Sequence, residues 1–419
     1  MIGRLLCCLL FVVLFTKSFT QSYSPDTIAD RDTVLFAGEV AKDSITGFSG
    51  ADMDSIIKDS VIVPVSDSIK PDTLTMLPDT LIPSLPRTDT LSLVMVGDVM
   101  LGTNFPSSEY LPPNDDCWPL LEPVANYIQD ADISFCNLEG GFGTQGVSKK
   151  CRDPKTCYVF RMPDEYSSCL TRAGFDVVSV ANNHVNDFGY EGRINTVRIL
   201  NEAEIHFAGF SDHPYTIFTS NNFLIGFCAF SPNSGVQDLR DIAGAERIVK
   251  YLSDTCDIVL VSMHGGAEGA NYQHVTRQKE TFLGADRGNV YEFAHRMIDS
   301  GADVVIGHGP HVTRAMEVYK NRFIAYSLGN FATYARFNLS GPNGIAPLVR
   351  LNISPKGEFL DGIIIPIQQT GEGGASPDPE KKIISKLRSL NSLDFPEGQL
   401  KLDDSGILRT VISENTETD

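Results

Sequence analysis

The chain is poor in positive charge and lacks the short motifs of several common enzyme classes. Its 419 residues include 34 Lys or Arg against 53 Asp or Glu, which gives a formal net charge of -19. This acidic balance argues against nucleic acid and against charge-driven binding to anionic lipid. No Walker-type phosphate loop, Gly-x-Ser-x-Gly motif or His-Glu-x-x-His helix is present. Their absence counts against P-loop enzymes, α/β-hydrolase serine enzymes and zinc-helix proteases.

An apolar run long enough to span a membrane is also missing. Leu5–Phe15 follows Arg4 and precedes a polar stretch, and it is shorter than the ~20 residues that a spanning helix needs. We predict that residues 1–21 are a secretory signal peptide, with an uncleaved N-terminal anchor as the alternative. Either would place the folded part in the periplasm, outside the cell or on its surface.

Residues 22–90 show no helical or strand period. They contain 12 acidic and 5 basic residues, with proline and repeated Asp-Thr pairs. We predict an acidic, disordered linker here, because too little apolar surface is present to form a core. Residues 91–372 are long enough for one large α/β domain, and residues 373–419 are predicted to form a C-terminal helical extension and tail.

Nine cysteines are present, seven of them after the leader. Cys136, Cys228 and Cys256 lie in or beside apolar runs and are predicted to be buried thiols. Cys151 and Cys157 flank a polar loop, where a local disulfide would be compatible with export.

Apolar, β-branched runs alternate with helix-like segments from Leu91 onward. The predicted strands include Leu91–Val96, Ile133–Cys136, Asp176–Val180, Phe223–Phe230, Ile258–Ser262 and Asp303–Ile306, and Trp118–Gln129 is a predicted helix. This alternation predicts a sheet covered by helices on both sides. The strand-rich later part of the domain suggests a second sheet packed on the first.

Polar clusters follow five of the predicted strands. They are Gly97-Asp98, Asn137-Leu138-Glu139, Asn182-Asn183-His184, His264-Gly265-Gly266 and His308-Gly309-Pro310-His311. Each cluster alone could be a capped turn. Together they favour a site, because ligands in open α/β sheets bind beyond the carboxyl ends of strands.

The residue types in these clusters suit a divalent metal. Four of the chain's eight histidines lie in them, and the mixture of Asp, Glu, Asn and His favours Mn, Zn or Fe. Two such ions would polarise an ester or amide and lower the pKa of bound water. Asp187 is close enough in sequence to orient the imidazole of His184.

The ordered motifs resemble the capsule-synthesis CapA family of bacterial poly-γ-glutamate biosynthesis proteins. The resemblance runs from about Leu91 to about Gln369. It rests on the five clusters together with Glu268, Glu317-Val318-Tyr319 and Tyr326-Ser327-Leu328-Gly329-Asn330-Phe331. The family is similar in fold to calcineurin-like metallophosphoesterases, which implies an α/β fold arranged as a four-layer α/β/β/α sandwich.

The resemblance also implies roles for individual residues. The metal ligands would be Asp98, Glu139 (as a bridge), Asn183, His264, His308 and His311. His184 and Asp187 would be catalytic, with His184 as an acid, and the substrate-binding residues would be Asn137, Glu268, Glu317 and Asn330.

The chain departs from the phosphoesterase pattern at several positions. Met100 stands where a histidine ligand is usual, Glu139 replaces an aspartate, and two residues rather than one separate His308 from His311. These departures leave two ions, one ion or no ion as alternatives for the site. Gly265 stands where the CapA family usually has an aromatic residue, and this difference is expected to widen the pocket.

The resulting expectation is an exported CapA-like protein of capsule or poly-γ-glutamate synthesis or processing. Its metal-dependent site would hydrolyse a γ-glutamyl amide or a phosphoester. One alternative is a non-catalytic, polymer-binding component that assembles with capsule membrane proteins and holds the polymer with Arg287, Arg314, Arg322 and Arg336. A second alternative is a metallophosphoesterase with an unrelated substrate.

Overall fold

Two β-sheets carry the predicted site residues at the ends of their strands. The computed structural model describes residues 90–146, 148, 150 and 158–411. The predicted signal peptide, the linker and the Cys151–Cys157 disulfide lie outside these residues. No helix in the described ranges is both long enough and apolar enough to cross a membrane.

The strands of the described residues are, in chain order, β1 (Leu91–Met100), β2 (Ile133–Leu138), β3 (Gly141–Phe142), β4 (Arg161–Met162), β5 (Val177–Ser179), β6 (His206–Ala208), β7 (Tyr215–Ser220), β8 (Phe223–Phe230), β9 (Ile258–His264), β10 (Glu280–Phe282), β11 (Ala285–Gly288), β12 (Val304–His308), β13 (Met316–Tyr319), β14 (Arg322–Ala325), β15 (Asn330–Thr333), β16 (Ile345–Ile353), β17 (Phe359–Gln368), β18 (Ser376–Pro377), β19 (Leu400–Leu402) and β20 (Ile407–Thr410). The helices are α1 (Ala125–Gln129), α2 (Ser167–Ala173), α3 (Gly189–Glu202), α4 (Ile242–Thr255), α5 (Val290–Asp299) and α6 (Lys382–Asp394).

The first sheet has the strand order β19-β20-β17-β16-β1-β2-β5-β6, with β15 beside the end of β1 and β18 beside β17. Its half from β1 to β6 is parallel, whereas β16 runs antiparallel to β1. The second sheet has the order β13-β14-β12-β9-β8-β7, and its four central strands are parallel. The carboxyl ends of the parallel strands in each sheet carry the polar clusters.

Alternation along the strands explains how the sheets pack. Leu260 and Ile306 belong to the large core shared with the first sheet, whereas Val261 and Val305 pack with α4 and α5. Phe135 of the first sheet meets Phe227 of the second with 5.6 Å between ring centroids. Since successive side chains on a strand point to opposite faces, each strand of the second sheet contributes to both cores. The predicted four-layer α/β/β/α sandwich is confirmed.

The prediction that the later strands form the second sheet holds for β13 and β14 but is wrong for the strands after them. β16, β17, β19 and β20 extend the first sheet, and the second sheet is built from strands in the middle of the chain. The hydrophobic pattern identified the strands, but the pairing of β16 with β1 joins segments about 250 residues apart. No local signal specifies such a pairing.

The predicted helix Trp118–Gln129 is only partly α-helical. Trp118–Leu120 and Glu122–Val124 are short 3-10 turns, and the α-helix begins at Ala125. Pro119 and Pro123 account for this, because proline has no backbone N–H to donate within a helix and its ring crowds the preceding turn.

A disulfide joins Cys117, just before these turns, to Cys169 in α2, with 6.2 Å between the two Cα atoms. It links two segments that pack on the first sheet. Cys136 and Cys228 are buried free thiols, as predicted, and Cys256 is a partly buried one.

The last part of the described chain is integrated with the rest. β18 pairs with β17, and the β19–β20 hairpin adds to the edge of the same sheet. Ile383 and Leu387 of α6 belong to the core between the layers. The tail that we predicted after the helix thus contains two further strands, while the boundary at residue 372 stays a prediction.

Candidate metal centre

The five clusters meet in the space between the two sheets, at the carboxyl ends of their strands. His264 ends β9 and His308 ends β12, and the parallel pairing of these strands sets the two histidines side by side. Across from them, Asp98 on β1 and Asn137 on β2 are partners in the first sheet. Side chains more than 200 residues apart therefore share one buried volume.

β1 continues beyond its predicted end at Val96 to Met100, so Gly97 lies within the strand. A Cβ atom on Gly97 would lie only 1.9 Å from the backbone oxygen of Gly329. The Asp98 backbone N–H donates to that same oxygen at 2.9 Å. Glycine at position 97 thus permits a close backbone approach that fixes Asp98 against β15.

The two buried carboxylates contact histidines from both sheets. Asp98 Oδ2 lies 2.9 Å from His311 Nδ1, and its Oδ1 lies 3.5 Å from His308 Nδ1. Glu139 Oε2 is 3.6 Å from His264 Nδ1, and Glu139 Oε1 is 3.9 Å from His184 Nε2. The carboxylates and the imidazoles thus form a single network.

Asn137 lies between the two acids. Its Nδ2 donates to Asp98 Oδ1 at 2.8 Å and to Glu139 Oε2 at 2.5 Å. Asn182 in turn donates to Asn137 Oδ1 at 3.1 Å, which fixes the orientation of the amide. An amide in this position separates two negative groups that would otherwise repel each other.

The buried charges shift one another's protonation. Burial and the Asp98 carboxylate raise the pKa of Glu139 to about 8. Burial would also raise the pKa of Asp98, but the neighbouring imidazoles of His308 and His311 lower it below its usual range. Burial lowers the pKa of His311, yet its contact with Asp98 outweighs this and raises the pKa to about 9. Asp98 and His311 therefore form an ion pair, while Glu139 tends to hold a proton.

His184 and Asp187, predicted as a catalytic pair, are in direct contact. His184 Nδ1 lies 2.8 Å from Asp187 Oδ2, so Nε2 is left facing Glu139. Asp187 also accepts from the Phe160 backbone N–H at 2.9 Å and from Lys150 Nζ at 2.7 Å. Burial lowers the pKa of His184 despite the neighbouring carboxylate, which favours a neutral imidazole with its proton on Nδ1.

Aromatic rings and two asparagines enclose the rest of the cluster. The Phe160 ring lies 4.2 Å from the His184 ring and 5.0 Å from Phe337, which makes an edge contact with His311. Asn330 Oδ1 is 3.1 Å from His311 Nδ1, and Asn343 donates to the His311 backbone oxygen. His311 has a positive φ of 57°, and these contacts hold it there.

Several buried polar atoms of the cluster have no hydrogen-bond partner among the described residues. They are both ring nitrogens of His264 and His308, and Glu139 Oε1; Asn183 Oδ1, one residue before His184 in the chain, is also without a partner. An unpaired buried polar group costs about 1–3 kcal/mol. A group of such atoms in one place therefore calls for an explanation.

A divalent cation would satisfy these atoms, and their types are those that Mn, Zn and Fe accept. Within the described part of the chain, however, no three His, Cys, Asp or Glu side chains are already arranged around a common point as metal ligands. The acids and imidazoles contact each other in pairs instead. The donor types and the unpaired atoms fit a cation, and binding would require these pairwise contacts to be exchanged for contacts with the ion.

Of the four predicted substrate-binding residues, Glu317 and Glu268 lie outside the cluster. Glu317 lies on the helix-covered side of the second sheet, where it accepts from Tyr326 Oη at 2.6 Å and contacts His295 Nε2 of α5 at 2.8 Å. Glu268 lies beside the cluster and pairs with Arg287, 2.9 Å away. Asn137 and Asn330 are within the cluster itself.

The four arginines that were predicted to hold the polymer do not lie together on one surface. Arg314 is fully buried and is paired through two hydrogen bonds with Glu280, and Arg322 is paired with Asp303. Arg336 lies over the rings of Tyr110 and Tyr158. Arg287 is the member of this set that contacts Glu268 next to the cluster.

Gly265 does not widen the pocket. A Cβ atom there would lie 3.0 Å from the Arg287 backbone oxygen, 3.2 Å from Val290 and 3.3 Å from Leu239. The space next to this glycine is filled by α5 and by the hairpin β10–β11, so an aromatic side chain would require both to move.

Sequence reasoning missed Lys150, Phe160, Phe337 and Asn343. They come from loops without a strand-end signal, and their proximity depends on how those loops fold over the sheets. Asn182 and Asp187 could be found because they lie in the same short segment as His184.

Comparisons with known proteins agree with the motif pattern. The family model for the bacterial capsule synthesis protein PGA_cap matches residues 92–335. The capsule biosynthesis protein CapA of Bacillus anthracis is 26% identical over 332 residues, which covers 74% of this chain and 75% of the relative. The PGA biosynthesis protein CapA of Bacillus subtilis is 28% identical, with 58% of this chain and 63% of the relative covered.

A probable polyglutamine synthesis accessory protein of Mycobacterium tuberculosis is 32% identical over 246 residues, which covers 52% of this chain and 60% of the relative. The chain thus spans less than two thirds of the length of two of these three relatives. Among solved structures, a hypothetical protein from Thermus thermophilus matches with a TM-score of 0.40 and 16% identity, covering 67% of this chain and all of that chain. A putative 5'-nucleotidase from Staphylococcus aureus matches with a TM-score of 0.38 and 14% identity, covering 73% and 58%.

Proposed function

This chain belongs to the bacterial capsule synthesis protein family PGA_cap, and we propose that it acts outside the cytoplasm on a capsule or poly-γ-glutamate polymer through a divalent-metal-dependent hydrolytic site. The observation that carries the proposal is the group of unpaired buried atoms on His264, His308, Glu139 and Asn183. A metal site explains why a protein would keep them there. The substrate bond would be a γ-glutamyl amide or a phosphoester.

Six residues would hold the metal: Asp98, Glu139, Asn183, His264, His308 and His311. A bound Mn, Zn or Fe ion would supply Lewis-acid polarisation of the bond and a water of lowered pKa. Asn137 and Asn330 would hold the metal ligands in orientation, because their amides contact Asp98, Glu139 and His311. Such supporting groups matter to metal affinity nearly as much as the ligands do.

His184 would accept and donate the proton that the reaction transfers. Asp187 holds its Nδ1 atom, so Nε2 is the nitrogen free to take up a proton and to give it to a leaving group. The Phe160 ring beside it keeps water from that side of the imidazole. Lys150, which contacts Asp187 Oδ1, helps to keep that carboxylate ionised.

The test is metal analysis of the purified full chain together with hydrolysis assays on poly-γ-glutamate and on a phosphoester. We expect bound divalent metal, and we expect His264→Ala and His308→Ala to weaken metal affinity by about tenfold or more and to abolish hydrolysis. His213→Ala is the matched control, since His213 is a half-exposed surface residue. Absence of metal after gentle purification, with no effect of either variant, would sink the proposal.

A second function is favoured by Met100. The side chain at this position is fully buried in the core, where the phosphoesterase pattern has a ligand. This supports a non-catalytic protein that holds the polymer in the same cleft, as a component of a capsule assembly or export complex with membrane proteins. Polymer binding that persists in EDTA, without any turnover, would select this function over the hydrolase.

Export is supported by the Cys117–Cys169 disulfide as well as by the apolar run near the N-terminus. Structural disulfides persist in oxidising compartments and are rare in the cytosol. We expect cell fractionation to find the protein outside the cytoplasm, with these two cysteines blocked to thiol reagents until reduction. Recovery in the cytosol with both thiols free would contradict export.

A further inference from the structure

The loop after β9, residues 265–269, packs against two buried arginines that differ in how fully they are paired. Arg314 has no exposed surface. Both of its terminal nitrogens donate to the Glu280 carboxylate at 2.8 Å, and its Nε donates to the Tyr272 backbone oxygen. Its hydrogen-bonding capacity is thus used within the fold.

Arg287 is paired less completely. Its side chain is 7% exposed, and Nε donates to the Gly266 backbone oxygen at 2.8 Å. The Nη2 atom lies 2.9 Å from Glu268 Oε1, but the two are not aligned as a hydrogen bond, and this buried nitrogen has no hydrogen-bond partner in the described residues. A buried guanidinium nitrogen without an acceptor is costly, and it is available to a ligand.

Arg287 lies close to the candidate metal centre. A Cβ atom on Gly309, between His308 and His311, would lie 3.3 Å from Nη2, so the guanidinium reaches the loop that carries these histidines. Arg287 Nη2 and the Glu268 carboxylate near it therefore lie beside the histidine loop of the candidate metal centre.

Glu268 is the movable member of the pair. Its side chain is 22% exposed, compared with 7% for Arg287, and it lies in a loop between Gly266 and Gly269, both of which have positive φ. Loss of Glu268 alone would leave the buried guanidinium without a counter-charge, whereas another anion in its place would keep Arg287 paired. Glu268 can therefore be exchanged for another anion.

We propose that Arg287 recognises a negatively charged group of the substrate, a carboxylate or a phosphate, and that Glu268 is the exchangeable counter-ion that this group displaces. The inference rests on the proposed function for its substrate, and it changes the expected role of Glu268 from a ligand of the substrate to a competitor of it. The bidentate geometry of guanidinium suits both oxyanions.

The experiment is calorimetric binding of two separate probes, inorganic phosphate and γ-glutamyl-glutamate, to the full chain in EDTA. We expect Glu268→Gln to tighten binding of the preferred probe by about fivefold to tenfold, because the competing charge is gone. Arg287→Met should weaken it by about tenfold or more, and Arg287→Lys should restore it only in part. The probe that responds to both positions identifies the oxyanion.

Controls separate recognition from folding. Glu397→Gln removes the carboxylate from another arginine pair, with Arg277, and should leave probe binding unchanged. Glu268→Gln should give no gain in an Arg287→Met background. If Arg287→Met fails to fold, Glu268→Gln and Arg287→Lys still decide the question.

Unchanged or weaker binding in Glu268→Gln would overturn the proposal, and so would full affinity in a folded Arg287→Met protein. The assay contains chelator and measures no turnover. Its failure is therefore distinct from a failure to find metal or hydrolysis in the wild-type chain.

Discussion

Gly97 and Gly307 directly precede Asp98 and His308, and the backbone of residues 326–330 packs against both of them. A Cβ atom on Gly307 would lie 2.2 Å from the Tyr326 backbone oxygen, as one on Gly97 would lie 1.9 Å from that of Gly329. One segment thus holds a site residue of each sheet in place. Gly97 and Gly307 therefore allow two backbone segments to approach closely. From the sequence alone, glycines in such motifs would be interpreted as turn residues.

Asp303 is a buried carboxylate outside the cluster that should make stability depend on pH. Its oxygens accept from the Val259 backbone N–H at 2.8 Å and from Arg322 Nε at 2.9 Å. Burial nonetheless raises its pKa to about 6. Because the folded state binds this proton more tightly than the unfolded state does, the contribution of Asp303 to stability is greatest below about pH 4 and declines as pH rises through about 6.

We predict that the stability of wild type relative to Asp303→Asn falls by roughly 2–3 kcal/mol between pH 4 and pH 7, at 1.36 kcal/mol per pKa unit. Urea unfolding of both proteins across this range provides the measurement. A difference that stays constant or grows with pH would show that Asp303 is ionised throughout. Asp254→Asn, an exposed residue paired with Lys250, serves as the control and should track wild type.

At the scale of elements, the segment from Cys117 to α2 is held by the Cys117–Cys169 disulfide rather than by a long helix. Pro119 and Pro123 break the first helix into short turns, which have few internal hydrogen bonds. The disulfide closes a loop with a sequence separation of 52 residues. It restricts the unfolded chain and keeps these turns against the sheet.

Replacing both cysteines, Cys117→Ser with Cys169→Ser, should lower the free energy of unfolding by about 4 kcal/mol, as expected for a loop of this length. Denaturant unfolding under non-reducing conditions checks this. Cys256→Ser is the control, since Cys256 is a partly exposed free thiol and should be nearly neutral. A loss equal to that of the control would mean that the bridge does not constrain the chain.

For the molecule as a whole, residues 373–411 complete a sheet that begins at Leu91. β20 pairs with β17, and Leu387 of α6 is fully buried in the core. Residues beyond 372 therefore cover apolar surface that belongs to the domain. Uncovered apolar surface of this kind promotes aggregation.

A chain ending at residue 372 is expected to lose cooperative thermal unfolding and to bind an apolar dye. Without the later residues, β17 becomes an open edge of the sheet, and the apolar surface that α6 covers is exposed to solvent. A chain ending at residue 411 is the control and should melt as the full chain does. A truncated protein that melts cooperatively with unchanged midpoint would show that residues 373–411 form a separate extension.

The sequence was sufficient for the strand-end clusters and for the contact of His184 with Asp187. Apolar alternation and the residues that interrupt it are local properties, so Asp98, Glu139, His264 and His308 could be placed on strand ends without a structure. The four-layer arrangement also followed, from the resemblance to a known family. Glu317 also belongs to one of the motifs, yet it lies on the helix-covered side of the second sheet, away from the cluster.

The tertiary structure alone decided which sheet each strand joins, and with it the environment of every site residue. Asp98 and His311 are 213 residues apart in sequence and in direct contact, and Arg287 reaches the cluster from a hairpin with no distinguishing motif. Such contacts depend on strand order and loop packing, which arise from long-range burial rather than from any local pattern. Sequence could therefore name the groups of the candidate site, while only the folded chain shows which of them are left unpaired.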